Sequence, residues 1–114
     1  MVTTSQKRVC VVYVPFPQKE VATKIAELMI REQLAACANI LAPSMSLYTW
    51  KGKVVKGKEF IVIFKTTERK YKNLEKRIIK LHPYDCPCIA KIAVSSLNSA
   101  YLDWLVQTVS SPVE

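Results

Sequence analysis

Two stretches of this chain, residues 9–14 and 60–64, are apolar at every position rather than at every second one. A strand with one wet face alternates apolar and polar side chains, whereas an unbroken run rich in β-branched residues needs cover on both faces. Each stretch therefore reads as a strand buried on two sides, and each is followed by a helical pattern. Residues 18–33 place Val21, Ala22, Ile25, Ala26, Met29 and Ile30 on an i, i+4, i+8 stripe. Pro17 suits the entry to that helix, and Glu20 sits favourably in its first turn. Residues 68–81 carry Tyr71, Leu74, Ile78 and Leu81 on one face and Lys and Arg on the other. Pro83 and Pro87 stop this second helix and start a loop.

Between the two helices, residues 35–50 read as one long strand, bent or bulged where Pro43 removes a ladder donor. The only two glycines, Gly52 and Gly57, fall in residues 51–58, which read as a hairpin connection. Residues 89–97 form a further strand, and Asn98 caps a last helix bearing Tyr101, Leu102, Leu105 and Val106. The order β-α-β-β-α-β plus a C-terminal helix is the α+β, ferredoxin-like split βαβ sandwich. All 114 residues belong to one domain, with residues 1–7 and 110–114 expected as flexible tails. Two helices cover one face of such a sheet, so the doubly apolar strands demand cover for the second. At about 3.3 Å per residue, the sixteen residues of 35–50 span roughly 50 Å. A compact domain of this size is only about 35 Å across, from a radius of gyration near 13 Å. A hairpin arm with exposed edges and aromatics therefore projects, and both observations predict an obligate oligomer.

Composition narrows the function classes. Half of the residues are hydrophobic, which excludes a disordered chain. No apolar run approaches the roughly 18 to 20 residues that cross a bilayer, so no membrane partner is expected. Lys7 and Arg8 before an apolar run mimic a signal peptide, but Pro15 and Pro17 end that run early and no small-residue cleavage site follows. The four cysteines, at 10, 37, 86 and 88, form no disulfide framework of a small secreted domain, and a cytoplasmic location is expected. The net charge of +8 is concentrated between residues 51 and 80. That stretch reads either as a solvated hairpin turn and the polar face of the second helix or as a surface for an anion or nucleic acid. The basic residues are not interleaved with stacking aromatics, so nucleic acid is not an expected partner.

Two glycines leave no phosphate-cradling loop, and one histidine leaves no paired-histidine zinc motif. His82, Asp85, Cys86 and Cys88 are the one cluster of metal-capable side chains; imidazole and thiolate suit copper or zinc. The competing reading makes both cysteines packing residues and His82 a group that caps or pairs at a helix end. A thiol enzyme, with Cys86 or Cys88 as nucleophile and His82 as base, lacks an orienting residue and a glycine-rich oxyanion hole. Cys10 and Cys37 lie on apolar strands and read as inert core residues. Tyr48 and Trp50 read as packing between subunits, where such residues are enriched. Lys65 either faces a cleft and holds an anion or pairs with Glu59 or Asp85.

Taken in order, Leu34-Ala-Ala-Cys-Ala-Asn-Ile40, Ser46-Leu-Tyr48-Thr-Trp50-Lys-Gly-Lys53, Lys65-Thr66, His82-Pro-Tyr84, Pro87 and Tyr101-Leu-Asp-Trp104 resemble the CutA family of divalent-cation-tolerance proteins. The resemblance implies a ferredoxin-like subunit in a tight homotrimer, similar in shape to nitrogen-regulatory signal transducers. It implies no enzymatic activity and no obligatory cofactor, with weak binding of copper or another divalent cation at clefts between subunits. His82 and Glu59 are the metal ligands it carries over; Lys65, Tyr84, Tyr48 and Trp50 are the candidate cleft or ligand-binding residues of this chain. The alternative it leaves open is a trimeric signalling or small-anion-binding module using Lys65, Tyr84 and the basic hairpin. This chain departs from the family where a metal would notice. Lys51 replaces an acidic residue of the hairpin turn, Cys88 replaces a glutamate, and Val14 stands where some members have a thiol. Trading carboxylates for ammonium and thiol tilts any site toward softer copper.

Overall fold

The computed structural model describes residues 8–110. Its elements are β1 (Val9–Phe16), α1 (Lys19–Arg31), β2 (Cys37–Ile40), β3 (Ser44–Trp50), β4 (Lys53–Thr67), α2 (Glu68–Leu81), β5 (Ala90–Ala93) and α3 (Ser99–Thr108). The tails expected at 1–7 and 110–114 lie outside the described residues, except Ser110. The sheet order is β2-β4-β1-β5, with every neighbouring pair antiparallel. β1 and β2 therefore run parallel with β4 between them, and β4 and β5 run parallel with β1 between them. Two interlocked split βαβ units are the α+β ferredoxin-like arrangement expected from the element order.

Alternate residues of β1 make the core. Cys10, Val12, Val14 and Phe16 point at the helices with Val62 and Phe64 of β4, against Ala22, Ile25 and Met29 of α1 and Leu74 and Ile78 of α2. Each fully buried large apolar side chain here contributes roughly 1.5–3 kcal/mol. On the opposite face Val9 meets Leu105 and Val109 at the end of α3, together with Ala36. α3 thus covers one end of the second face, and Val11, Tyr13 and Ile63 further along it are only half-buried. The cover demanded by two apolar faces is incomplete within one subunit.

α1 ends because Gln33 adopts the left-handed conformation, at φ 59°. The Leu34 amide donates to the Met29 carbonyl at 2.9 Å and the Gln33 amide to Ile30 at 3.0 Å, a Schellman stop. The Arg77 guanidinium forks onto the Glu32 carboxylate with two 2.8 Å bonds, tying α2 to that stop. Those bonds hold the Glu32 carboxyl below its usual range.

Three expectations are corrected. Residues 35–50 form two strands, β2 and β3, laid end to end along β4. Leu41, Ala42 and Pro43 oppose only Phe60 and Ile61, so the pairing slips by one residue there. Residues 51–58 are mostly strand. The connection is only Lys51-Gly52, both with positive φ of 51° and 77°, a two-residue turn whose twist matches the strands it joins. Exposed lysines alternating with Val55 and Gly57 do not break a ladder that stands in solvent. The last strand is four residues, not residues 89–97, and it pairs with Cys10 to Tyr13 of β1. Asn98 holds the N-cap position of α3 as expected, but its side chain makes no capping bond.

Candidate functional site

The one-residue slip at Pro43 decides what faces what. Before it, Cys37 and Asn39 of β2 share a face with Lys65 and Ile63 of β4. After it, even-numbered residues take over, so Ser46, Tyr48 and Trp50 lie on the same face as Gly57 and Glu59. Beyond the end of β1, the chain leaving α2 crosses this face. The result is an open cleft of about 570 Å³ between the β3–β4 arm and the segment after α2. Pro15 and Glu59 border it, Leu47, Tyr48 and Trp50 form its apolar wall, and Tyr84, Asp85, Cys86 and Cys88 form the other.

His82 anchors the second wall from behind. It terminates α2, its amide donating to the Ile78 carbonyl at 2.8 Å, and its ring stacks on Phe16 with centroids 4.5 Å apart. His82 is 7% exposed. Nε2 lies 2.7 Å from the Pro15 carbonyl oxygen, which only accepts, so Nε2 carries the proton. Nδ1 accepts from the Tyr84 amide at 3.1 Å. Burial holds the imidazole below its ordinary range, against the Pro15 bond and the Glu59 charge that pull the other way. This neutral ring has its single in-plane lone pair engaged. A metal ion bound there has to displace Tyr84, and a base role for either thiol meets the same obstacle.

Tyr84 carries the contact from the buried ring to the cleft. Its hydroxyl donates to Glu59 Oε2 at 2.9 Å. Burial first, and then the Glu59 hydrogen bond and charge, push the phenol up to about 12. It therefore stays protonated and keeps the carboxylate paired at neutral pH.

Lys65 lies elsewhere. It pairs with Val11 and Cys37, and its ammonium sits 5.6 Å from the Tyr101 ring centroid, near α3. Six residues of β4, about 20 Å, separate it from Glu59. Neither ion pair expected of Lys65, with Glu59 or Asp85, forms among the described residues. Lys65 and Tyr84 do not share a cleft within one subunit. Cys10 is 1% exposed, and burial together with Glu68 pushes its thiol up to about 12, as expected of an inert core residue. Cys37 is only half-buried, with its sulfur 3.9 Å from Asn39 Oδ1.

Among the described residues, no three His, Cys, Asp or Glu side chains gather where they could hold one metal ion. Glu59 is shared with Tyr84, and His82 is bound at both nitrogens. A resident divalent cation with a full set of protein ligands does not fit a single subunit. Pro15 and Leu47 were not singled out in the sequence as lining the cleft. Pro15 lies at the end of β1 and Leu47 on the arm between Ser46 and Tyr48, and no linear pattern marks either position as part of a cleft.

Residues 10–108 match the model of the family described as CutA1 divalent ion tolerance protein. The divalent-cation tolerance protein CutA of Thermus thermophilus is 41% identical over 83% of this chain and 92% of its own. The CutA1 crystal structure from Oryza sativa superimposes with a TM-score of 0.87 at 37% identity, covering 89% of this chain and 93% of that one. The Archaeoglobus fulgidus structure, titled a periplasmic divalent cation tolerance protein CutA, gives 0.86 at 34% identity over 89% and 98%. The family is named for tolerance of divalent ions and not for a catalysed reaction. With a CutA-type sheet, its arm and a match along nearly its whole length, the chain belongs to the CutA1 divalent ion tolerance family.

Proposed function

We propose that the protein is a non-enzymatic, homotrimeric divalent-cation tolerance protein of the cytoplasm that takes up a divalent cation weakly where its cleft meets a neighbouring subunit. The observation that carries this reading is the position of Glu59. Its carboxylate stands at a cleft whose opposite wall, Leu47, Tyr48 and Trp50, is left exposed by the single subunit. A neighbour packed on that wall completes the cleft and adds the ligands that one chain lacks. In this reading Glu59 is the first ligand, and His82 supports Tyr84 from behind until a metal displaces it. Copper is favoured among divalent ions because the cleft holds thiols beside carboxylates. Weak affinity is expected, since a net charge of +8 opposes a dication and few carboxylates face it. Four free thiols support the cytoplasmic placement.

Native mass spectrometry of the purified protein should report three chains per particle. Calorimetry with copper(II) and zinc should find a weak site in the wild type that Glu59→Gln weakens by about tenfold or more. Identical isotherms for the two proteins would remove Glu59 from the site, and a monomeric mass would remove the trimer. Binding lost in His82→Asn but kept in Glu59→Gln would move the ligand to the imidazole.

A further inference from the structure

Cys86 and Cys88 are both exposed and both border the cleft, while Cys10 is buried and Cys37 lies on the sheet. We infer that the Cys86-Pro87-Cys88 segment is a two-coordinate site for a soft, monovalent d10 cation of the copper(I) type. It extends the reading of this cleft as a cation site but uses different ligands and a different ion.

The chain bends at Cys86, and Pro87 fixes its own φ near −65° and biases Cys86 away from the helical region, which limits the freedom of the segment before any ion arrives. In an extended chain, residues two apart have Cα atoms about 6.5–7 Å apart. That is at or beyond the upper end of disulfide geometry, which disfavours direct oxidation to a bridge. A metal ion supplies the missing length, because two metal–sulfur bonds of about 2.3 Å span roughly 4.6 Å between sulfurs. Thiolate sulfur selects soft ions such as copper(I). Zinc asks for four ligands in a tetrahedron, and no group of even three is assembled among the described residues. A linear ion needs only two. Its single charge also meets less repulsion than a dication from a chain of net charge +8.

Uptake is an exchange without redox change. Two S–H bonds break, two metal–sulfur bonds form, and two protons pass to solvent, leaving the bis-thiolate unit with one negative charge. The ion arrives and stays in the monovalent state, so no oxidant or reductant takes part.

The test uses the reduced, full-length protein under anaerobic conditions. Silver(I) serves as the redox-inert probe and copper(I) as the second. The wild type should retain one ion per subunit by native mass spectrometry. It should show thiolate-to-metal absorption and release two protons per ion in weak buffer. Cys86→Ser and Cys88→Ser should each lose stoichiometric binding, Cys37→Ser should keep it, and circular dichroism should confirm that all four proteins are folded. Glu59→Gln should keep silver while losing the divalent cation, so the two cleft readings stand or fall separately. Equal silver binding by the wild type and the Cys86→Ser, Cys88→Ser double variant would overturn the inference, as would a bound ion with oxygen or nitrogen neighbours in X-ray absorption.

Discussion

His82 is the only histidine of the chain, and its burial against Phe16 favours the neutral ring. The folded state therefore binds a proton less readily than the unfolded chain, whose imidazole titrates near about 6.5. The stability this provides is complete above that value and is lost as pH falls through it toward the lowered native one. No other side-chain type ordinarily titrates between about pH 5 and 8. The denaturation midpoint should thus drop between about pH 7.5 and 5.5, and His82→Gln should flatten that slope. An unchanged slope in the variant would show that some other group carries the effect. The sequence singles out His82 but not its bonds. Pro15 and Tyr84, which set its tautomer, come from β1 and from the loop after α2 and meet it only in the fold.

At the scale of elements, the β3–β4 turn separates backbone strain from side-chain crowding. A Cβ added at Gly52 meets nothing within 4 Å, yet φ is 77° there. Gly52→Ala should therefore destabilise by about 1–2 kcal/mol through the backbone alone. Gly57 has no positive φ, and a Cβ there meets only the Tyr48 ring, at an ordinary 3.7 Å. Gly57→Ala should stabilise by about 0.4–1 kcal/mol by restricting the unfolded chain. Chemical denaturation of the two variants checks both signs. α2 was legible to the residue because its apolar period and its proline stop agree. β2 and β3 read as one strand in the sequence because both lie along the same edge of β4; Pro43 marks the bulge between them, but the one-residue change of register shows only in the pairing.

As a whole molecule, the chain measures 52 × 27 × 23 Å, with a radius of gyration of 15.0 Å. A compact chain of this length has about 13 Å, so the projecting arm expected from the long strand is present. On it, Met45, Leu47, Trp50 and Val54 are 70%, 60%, 56% and 75% exposed. Placing a charge at the centre of an apolar interface costs more than placing it on a wet surface. Leu47→Glu and Trp50→Glu should each shift the protein to monomers in analytical ultracentrifugation. Ile79→Glu, at an exposed position of α2, should leave the assembly as in the wild type. Unchanged sedimentation in all three would show that the arm is not the assembly surface.

By itself the sequence determined the order of elements, the doubly apolar strands, the projecting arm and the family, because all of these are written in local periodicity, length and short motifs. Only the tertiary structure decided that Tyr48 and Trp50 share a face with Glu59, that Tyr84 holds that carboxylate, that His82 is closed at both nitrogens, and that Lys65 lies about 20 Å of strand away. Each depends on a register between segments distant in sequence. A single-residue slip at Pro43 reverses the face of every side chain after it; the proline marks its place in the sequence, but only the pairing with β4 decides which side chains it turns toward the cleft.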